Sequence, residues 1–230
     1  MEWYLGAMLY TVLCKLYMFL GMNSDKKPLK LVLKCAPIIF LIVTVGKIIF
    51  QSGAPVTSNA PGSLKQFSKL FWGLIFSCIG DGYLVFESLF LYGIVAFAVA
   101  QVIFTWLFDG GLSLLFEPNH SEIISGLAIA AVSTLIFVYI LPKLKRTLVV
   151  PVAIYTVVIS FMLWSAVVKM QRKTTDLTVV GAIGALMFYT SDLLLGVNKW
   201  RLKIPFAQVF IMTTYYTAQL FIAVSVLGTA

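Results

Sequence analysis

The sequence predicts an all-α membrane protein, a polytopic bundle of transmembrane helices without a soluble domain. Mean hydropathy is +0.98, and 60% of the 230 residues are hydrophobic while only 11% are charged, values far outside the range of soluble domains. The apolar residues also fall into runs of about 20, the helix length that crosses a bilayer. We therefore expect a single transmembrane domain over residues 1–230.

Eight apolar runs can be laid out as helices. The predicted spans are residues 3–22, 31–51, 66–86, 88–108, 122–141, 148–169, 176–197 and 206–228. The longest gaps between them are short enough to be plain loops, and the sequence has no evident internal repeat. The first residues lack the basic region of a cleavable signal, so the first span is expected to be retained.

The distribution of charge predicts the orientation of these helices. Ten Lys and Arg residues follow predicted helices 1, 3, 5 and 7, and six lie on the opposite side. The ten are Lys26, Lys27, Lys30, Lys34, Lys143, Lys145, Arg146, Lys199, Arg201 and Lys203. By the positive-inside rule their side is cytosolic, and both termini face the lumen or the exterior. The sequon Asn119-His120-Ser121 on the predicted outer side agrees with this orientation.

The first two predicted helices offer interface anchors rather than chemistry. Lys15 in the first helix and Lys47 near the far end of the second have stems long enough to snorkel to the interface. The second helix opens with Lys34, Cys35 and Pro37, and proline is tolerated in a first turn. We expect neither helix to supply a site residue.

Metal ligands are scarce in this chain. The three cysteines are Cys14, Cys35 and Cys78. All three fall inside predicted spans, where cysteine usually acts as a small hydrophobe. His120 is the only histidine, and one histidine cannot build a three-histidine zinc centre. No disulfide, metal or organic cofactor is expected, and no nucleic-acid partner; protein partners are left open.

The third and fourth predicted helices carry polar groups within the membrane. Gly73, Ser77 and Asp81 are spaced by four, so they form one narrow face directed at a neighbouring helix. A charge near the middle of a bilayer costs at least about 2.5–3.5 kcal/mol, and such acids usually mark function. Gln101, near mid-membrane on the fourth helix, is interpreted either as a helix-to-helix hydrogen bond or as a site residue.

The fifth and sixth predicted helices are mainly packing helices. The fifth is apolar and ends at the basic turn from Pro142 to Arg146, which is typical of a topology signal at the headgroup layer. The sixth adds Tyr155, Ser160 and Trp164. Tyr155 could hydrogen-bond within the bundle, although aromatic residues in spans ordinarily pack or anchor at the interface.

The seventh predicted helix ends in a second intramembrane acid, Asp192. Helices 3 and 7 run in the same direction, and Asp81 and Asp192 are the sixteenth and seventeenth residues of their spans. Both acids are therefore expected at one depth. The polar residues expected around them as a substrate-binding pocket are Tyr189, Ser191, Asn198, Lys199, Tyr215, Tyr216, Gln219 and Gln101.

These residues occur in a recognisable order. The motifs are Gly80-Asp81 with Leu84, then Gly93 and Phe97, then the stretch from Gly184 to Asp192 with Asn198-Lys199, and last Tyr215-Tyr216 with Gln219. Over nearly its whole length the chain resembles the lysoplasmalogenase family, the YhhN-like multispan membrane hydrolases. One departure is Gln101, which stands where relatives commonly have a histidine and so puts activity in question.

The resemblance implies hydrolysis of the vinyl ether bond of lysoplasmalogens to a fatty aldehyde and a glycerophospho-ethanolamine or -choline. It implies that Asp81 and Asp192 are the essential acids, and that the protein lies in the endoplasmic reticulum of a eukaryote or the inner membrane of a bacterium. Membrane lipids and a lysophospholipid substrate would be its partners.

The chemistry itself calls for two carboxyl groups. Hydrolysis of a vinyl ether begins with proton transfer to carbon, and water then captures the resulting oxocarbenium ion. One of Asp81 and Asp192 would be the general acid, and the other would stabilise the cation or activate water, as carboxyl pairs do in glycosidases. The sequence does not say which. Tyr189, Tyr215 and Gln219 would orient substrate or water, and Lys199 would pair with the lipid phosphate.

Three alternatives remain open at this point. Paired intramembrane acids also serve proton-coupled transporters, although the chain lacks matched Pro-interrupted half-helices and repeat halves. A catalytically silent lipid-binding relative is a second alternative, because Gln101 replaces a group that could carry a proton. In the third, both aspartates are merely hydrogen-bonded within the bundle.

Overall fold

The computed structural model describes residues 2–53, 62–109 and 118–228, and the regular elements in these ranges are all helical. Its α-helices are α1 Glu2–Leu16, α2 Lys27–Gln51, α3 Gly62–Leu84, α4 Phe90–Leu107, α5 His120–Ile140, α6 Arg146–Arg172, α7 Asp176–Trp200 and α8 Ala207–Leu227. The all-α prediction is confirmed for the part of the chain that is described.

Six of these helices are long and apolar enough to cross a membrane, namely α2 and α4 to α8. The protein is therefore an integral, multi-pass membrane protein. The apolar part of the first helix, including its π-helical end Tyr17–Gly21, is shorter. The apolar run of α3 is interrupted by Lys69 and Asp81, which explains why α3 is not among the six.

The second helix begins four residues earlier than its predicted span. It begins at Lys27, with Pro28 in its first turn, a position for which proline is well suited. Pro37 consequently lies inside α2 rather than in its opening turn. Lys34, predicted as a cytosolic loop charge and first-turn residue, lies about two turns into α2 and is only 6% exposed.

Close helix contacts are made where small residues meet large ones. A Cβ atom on Gly184 of α7 would lie 3.0 Å from the backbone nitrogen of Ile222 in α8, so these two backbones are in contact, as membrane helices with small residues allow. Between α3 and α4, the ring of Phe97 fills the space beside Gly80, and a Cβ atom there would lie 2.6 Å from it.

The centre of the bundle is α8, and α5 lies at its edge. Buried residues make up 50% of the most apolar stretch of α8 but only 11% of that of α5. Around α8, edge-to-face aromatic contacts join α4, α7 and α8: Phe188 lies 5.3 Å from Tyr215 and 6.1 Å from Phe97 between ring centroids. Such pairs add stability beyond the area they bury, and they fix the helices that surround the site.

Ion pairs connect the helices at the end of the bundle opposite the cavity rim. Arg172 pairs with the buried carboxylate of Glu122 at 2.7 Å, and Lys169 pairs with Asp109 at 2.8 Å. Asn119 caps α5 and accepts a hydrogen bond from the backbone N–H of Glu122. The single histidine, His120, is the first residue of α5 and has no place in the site described next.

Candidate active site

A cavity of about 320 Å³ lies between the helices near the end of α7 and the start of α8. Both predicted acids, Asp81 and Asp192, line it. Its rim is formed by the exposed side chains of Lys199, Lys203 and Gln208. The interior thus holds two carboxyl groups, and cations stand at the entrance.

One side of the cavity is apolar. The lining residues there come from α4, α5 and α6 and include Ile94, Phe137, Ile140, Val152 and Ile159. A surface of this kind accommodates a hydrocarbon chain, whereas the rim accommodates a charged headgroup. The cavity therefore has the two-part character of a site for an amphipathic molecule.

Asp81 is enclosed by donors. It is 2% exposed, its Oδ1 lies 3.1 Å from the Nζ of Lys34, and its Oδ2 accepts a hydrogen bond of 2.7 Å from the hydroxyl of Tyr215. The Lys34 ammonium also donates to the backbone carbonyl of Asp81 at 3.3 Å. A buried charge is tolerated when it is paired and hydrogen-bonded in this way.

Asp192 has a different environment. It is half-buried, and the hydroxyl of Tyr155 in α6 donates a hydrogen bond to its Oδ2. Among the described residues no cation forms an ion pair with Asp192. The two acids therefore share a cavity but differ in their partners.

A group of tyrosines holds the backbone of Lys34 in place. The hydroxyl of Tyr216 donates to the backbone carbonyl of Lys34 at 2.9 Å, and the hydroxyl of Tyr10 donates to the carbonyl of Tyr216 at 2.7 Å. The ring of Tyr17 meets that of Tyr216 edge-on at 6.1 Å. Helices α1 and α8 thus brace the segment of α2 that carries the cation.

Four of the predicted binding residues line the cavity together with the acids. Tyr215 bonds to Asp81 as described, and Ser191 donates to the carbonyl of Ile211 at 3.0 Å. Asn198 accepts a hydrogen bond from the N–H of Ile204 at 2.9 Å, which shapes the turn between α7 and α8. The ammonium of Lys199 lies over the ring of Phe90, 4.2 Å from its centroid.

The other four predicted binding residues lie behind the cavity wall and do not line it. Tyr189 forms a hydrogen bond of 2.6 Å with Ser133 of α5, and Tyr216 is engaged with Lys34. Gln101 and Gln219 are completely buried, and their amide atoms have no hydrogen-bond partner in the described part of the chain. Helical spacing alone did not distinguish the cavity-facing side from the side that faces the core.

The two glutamines nevertheless lie beside the site. The amide of Gln101 lies near the hydroxyl of Tyr155, and the amide of Gln219 lies near the hydroxyl of Tyr215. Each acid thus contacts a tyrosine hydroxyl, and that hydroxyl in turn lies near the amide of a glutamine. We call these the Asp81 arm (Asp81, Tyr215, Gln219) and the Asp192 arm (Asp192, Tyr155, Gln101).

Sequence reasoning missed two residues that contact the acids. Lys34 was counted as a charge at the cytosolic start of the second span, although beginning α2 one turn earlier, at Pro28, would have placed it well inside the helix. Tyr155 was considered for a hydrogen bond, but nothing in the sequence named Asp192 as its partner. In the described ranges, no three Asp, Glu, His or Cys side chains form a group that could hold a metal ion.

Comparison with known proteins finds a matching family and similar proteins. Residues 29–226 match the YhhN family. The chain is 28% identical to the lysoplasmalogenase TMEM86A of Bos taurus over 88% of its length and 80% of the relative. It is 30% identical to the lysoplasmalogenase TMEM86B of Rattus norvegicus, over 95% of the chain and 82% of the relative. No solved structure matches significantly.

Proposed function

Since the chain belongs to the YhhN family, we propose that it is a membrane-embedded, lysoplasmalogenase-like hydrolase. It cleaves the vinyl ether bond of alkenyl lysophospholipids and releases a fatty aldehyde and glycerophospho-ethanolamine or -choline. The observation that carries this proposal is the pair of carboxyl groups, Asp81 and Asp192, on the wall of one cavity. A proton donor and a carboxylate on one cavity are what the reaction requires.

The cavity suits a single-chain lysolipid. The phosphate binds near Lys199 and Lys203 at the rim, and the alkenyl chain lies along the apolar side. The vinyl ether bond, which joins the headgroup part to the chain, then lies at the level of the two acids. Ser191, Asn198 and Tyr215 offer polar contacts near the glycerol part.

The reaction proceeds by proton transfer and hydration. One carboxyl group protonates the vinyl carbon remote from the ether oxygen, and the oxygen shares a lone pair with the adjacent carbon to give an oxocarbenium ion. The other carboxylate stabilises this cation. Water adds to the cationic carbon, and the resulting hemiacetal breaks down to the aldehyde and the glycerol hydroxyl.

The membrane arrangement is part of the same proposal. All eight helices cross the membrane, with both termini in the lumen or at the exterior and the cavity rim in the cytosolic leaflet. Without Lys34, nine Lys and Arg residues remain on this side against six on the other, which still favours this orientation. The proposed location is the endoplasmic reticulum in a eukaryote or the inner membrane in a bacterium.

The test is aldehyde release by the purified protein from alkenyl lysophosphoethanolamine. We expect aldehyde from the wild type, loss of it in Asp81→Asn and in Asp192→Asn, and no effect of Asp25→Asn, which changes an exposed carboxylate outside the cavity. The saturated alkyl analogue is not cleaved, because it has no double bond to protonate.

Absence of aldehyde from well-folded wild type, across several headgroups and pH values, refutes the proposal. Lipid that is bound but not cleaved then indicates a silent relative, as the glutamine at position 101 would allow. Proton-coupled movement of a substrate without bond cleavage indicates a transporter.

A further inference from the structure

We infer that Lys34 gives the two acids different roles: it keeps Asp81 as an ionised carboxylate and leaves Asp192 as the general acid. Lys34 is a positioning residue in this scheme, because it acts through Asp81 rather than on the substrate. The inference rests on the proposed hydrolase function and adds to it the assignment that the sequence left open.

The surroundings of Asp81 are those of an anion. One carboxyl oxygen faces the Lys34 ammonium at 3.1 Å, and the other accepts from the Tyr215 hydroxyl at 2.7 Å. An ionised carboxylate is acceptor-only and satisfies both donors. A proton on the oxygen that faces Lys34 would meet a donor instead of an acceptor, and Lys34 would be left as a buried cation without its counter-charge.

The surroundings of Asp192 are those of a neutral acid. Its Oδ2 accepts from Tyr155, and its Oδ1 has no protein partner among the described residues, so this oxygen can carry a proton that faces the cavity. The other cations on the cavity wall, Lys199 and Lys203, are exposed at the rim. A second anion near Asp81 would meet like-charge repulsion without a cation of its own.

The assignment defines the path of the proton. The Asp192 hydroxyl bond breaks, and its proton forms a new C–H bond with the π electrons of the alkene. Asp81, already negative, stabilises the oxocarbenium ion. Water then bonds to the cationic carbon and returns one proton to the Asp192 carboxylate. The hemiacetal hydroxyl proton passes to the departing glycerol oxygen, so the enzyme ends in its starting state.

The test is infrared difference spectroscopy, which detects the C=O stretch of a protonated carboxyl group directly. Spectra of the purified full-length protein are compared with those of Asp192→Asn and Asp81→Asn. We expect a protonated-carboxyl band that disappears in Asp192→Asn and persists in Asp81→Asn. A band that is lost only in Asp81→Asn, or the absence of any such band in the wild type, overturns the inference.

Variants of Lys34 test the cause of the difference. Lys34→Met adds a second protonated-carboxyl band and lowers aldehyde release at least about tenfold, since Asp81 is no longer held as an anion. Lys34→Arg restores the wild-type spectrum and most of the activity. Lys30→Met is the matched control, because Lys30 lies one turn earlier on α2 and outside the cavity. A Lys34→Met spectrum identical to the wild type contradicts the role of Lys34.

The spectra also separate this inference from the proposed function. A wild type that releases no aldehyde but shows the expected bands refutes the hydrolase and leaves the charge assignment standing. If Lys34→Met fails to fold, the double variant Lys34→Met/Asp81→Asn removes both members of the ion pair. This variant retains the Asp192 band if the assignment is correct, and loses it if the band belongs to Asp81.

Discussion

The Asp81 arm and the Asp192 arm are built from the same three residue types in the same order, yet they differ at the acid. Asp81 is buried and paired with a lysine from another helix, whereas Asp192 is half-buried and, among the described residues, has a tyrosine hydroxyl as its one hydrogen-bond partner. The difference teaches that two similar arms in one cavity can give their carboxyl groups different surroundings through one neighbour on a third helix, here Lys34 of α2. The predictions below are ordered by the size of the expected effect on this contrast.

The largest effects are expected at the acids themselves. Asp192→Asn removes the proton donor and lowers aldehyde release about 10²- to 10⁴-fold with little change in thermal stability. Asp81→Asn also lowers activity, but it leaves the Lys34 ammonium buried without a counter-charge and destabilises the protein by about 3–5 kcal/mol. Thermal unfolding of both variants in the same detergent, with Asp25→Asn as control, measures the difference. Equal stability of the two variants contradicts the contrast between the arms.

A substitution at the contact between α7 and α8 is expected to disturb both arms together. Gly184→Ala places a Cβ atom 3.0 Å from the backbone nitrogen of Ile222 and 3.1 Å from the carbonyl oxygen of Ala218, so the helices must move apart. Overpacking of this kind costs about 1–3 kcal/mol. Thermal unfolding checks it against Gly6→Ala, where the nearest atom is 3.8 Å away. A Gly184→Ala protein as stable as Gly6→Ala would show that the two helices tolerate separation.

Substitutions of the two tyrosines are expected to change activity differently in the two arms, and by less than substitutions of the acids. Tyr155→Phe removes the one protein hydrogen bond described for Asp192, whereas Tyr215→Phe leaves Asp81 paired with Lys34. A hydrogen bond contributes about 0.5–1.5 kcal/mol, so we expect kcat to fall about 3- to 10-fold in Tyr155→Phe and less in Tyr215→Phe. Steady-state aldehyde assays decide the order, and the reverse order counts against the different roles of the acids.

Substitutions of the lysines at the cavity rim are expected to have the smallest effect on the enzyme kinetics. Lys199→Met or Lys203→Met removes an exposed cation near the proposed phosphate position, and an exposed ion pair contributes about 0.2–1 kcal/mol. The KM for the lysolipid should rise about 1.5- to 5-fold while kcat is unchanged, because neither residue touches the reacting atoms. Lys143→Met is the matched control at the same end of the bundle. A fall in kcat with an unchanged KM would place these lysines in the chemistry instead.

The sequence was sufficient for the helical class and for most helix positions, since both depend on local hydropathy and on the helical rise, and the expectation that Asp81 and Asp192 meet agrees with their place on one cavity. It was not sufficient for Lys34 and Tyr155, because their relation to the acids depends on which helices become neighbours. Nor did it separate Tyr215, which faces the cavity, from Gln219, which lies one turn away behind the wall. That difference depends on the rotation and tilt of α8 against α3 and α7.

The packing of α3 against α4 has a consequence for biosynthesis. The apolar run of α3 is interrupted by Lys69 and Asp81, so α3 alone is a poor substrate for lateral transfer from the translocon into lipid. Only the short segment 85–89 connects it to α4, and the Phe97 ring of α4 covers Gly80. The two helices should therefore leave the translocon together as a hairpin, with Gly80 of α3 already covered by the Phe97 ring of α4.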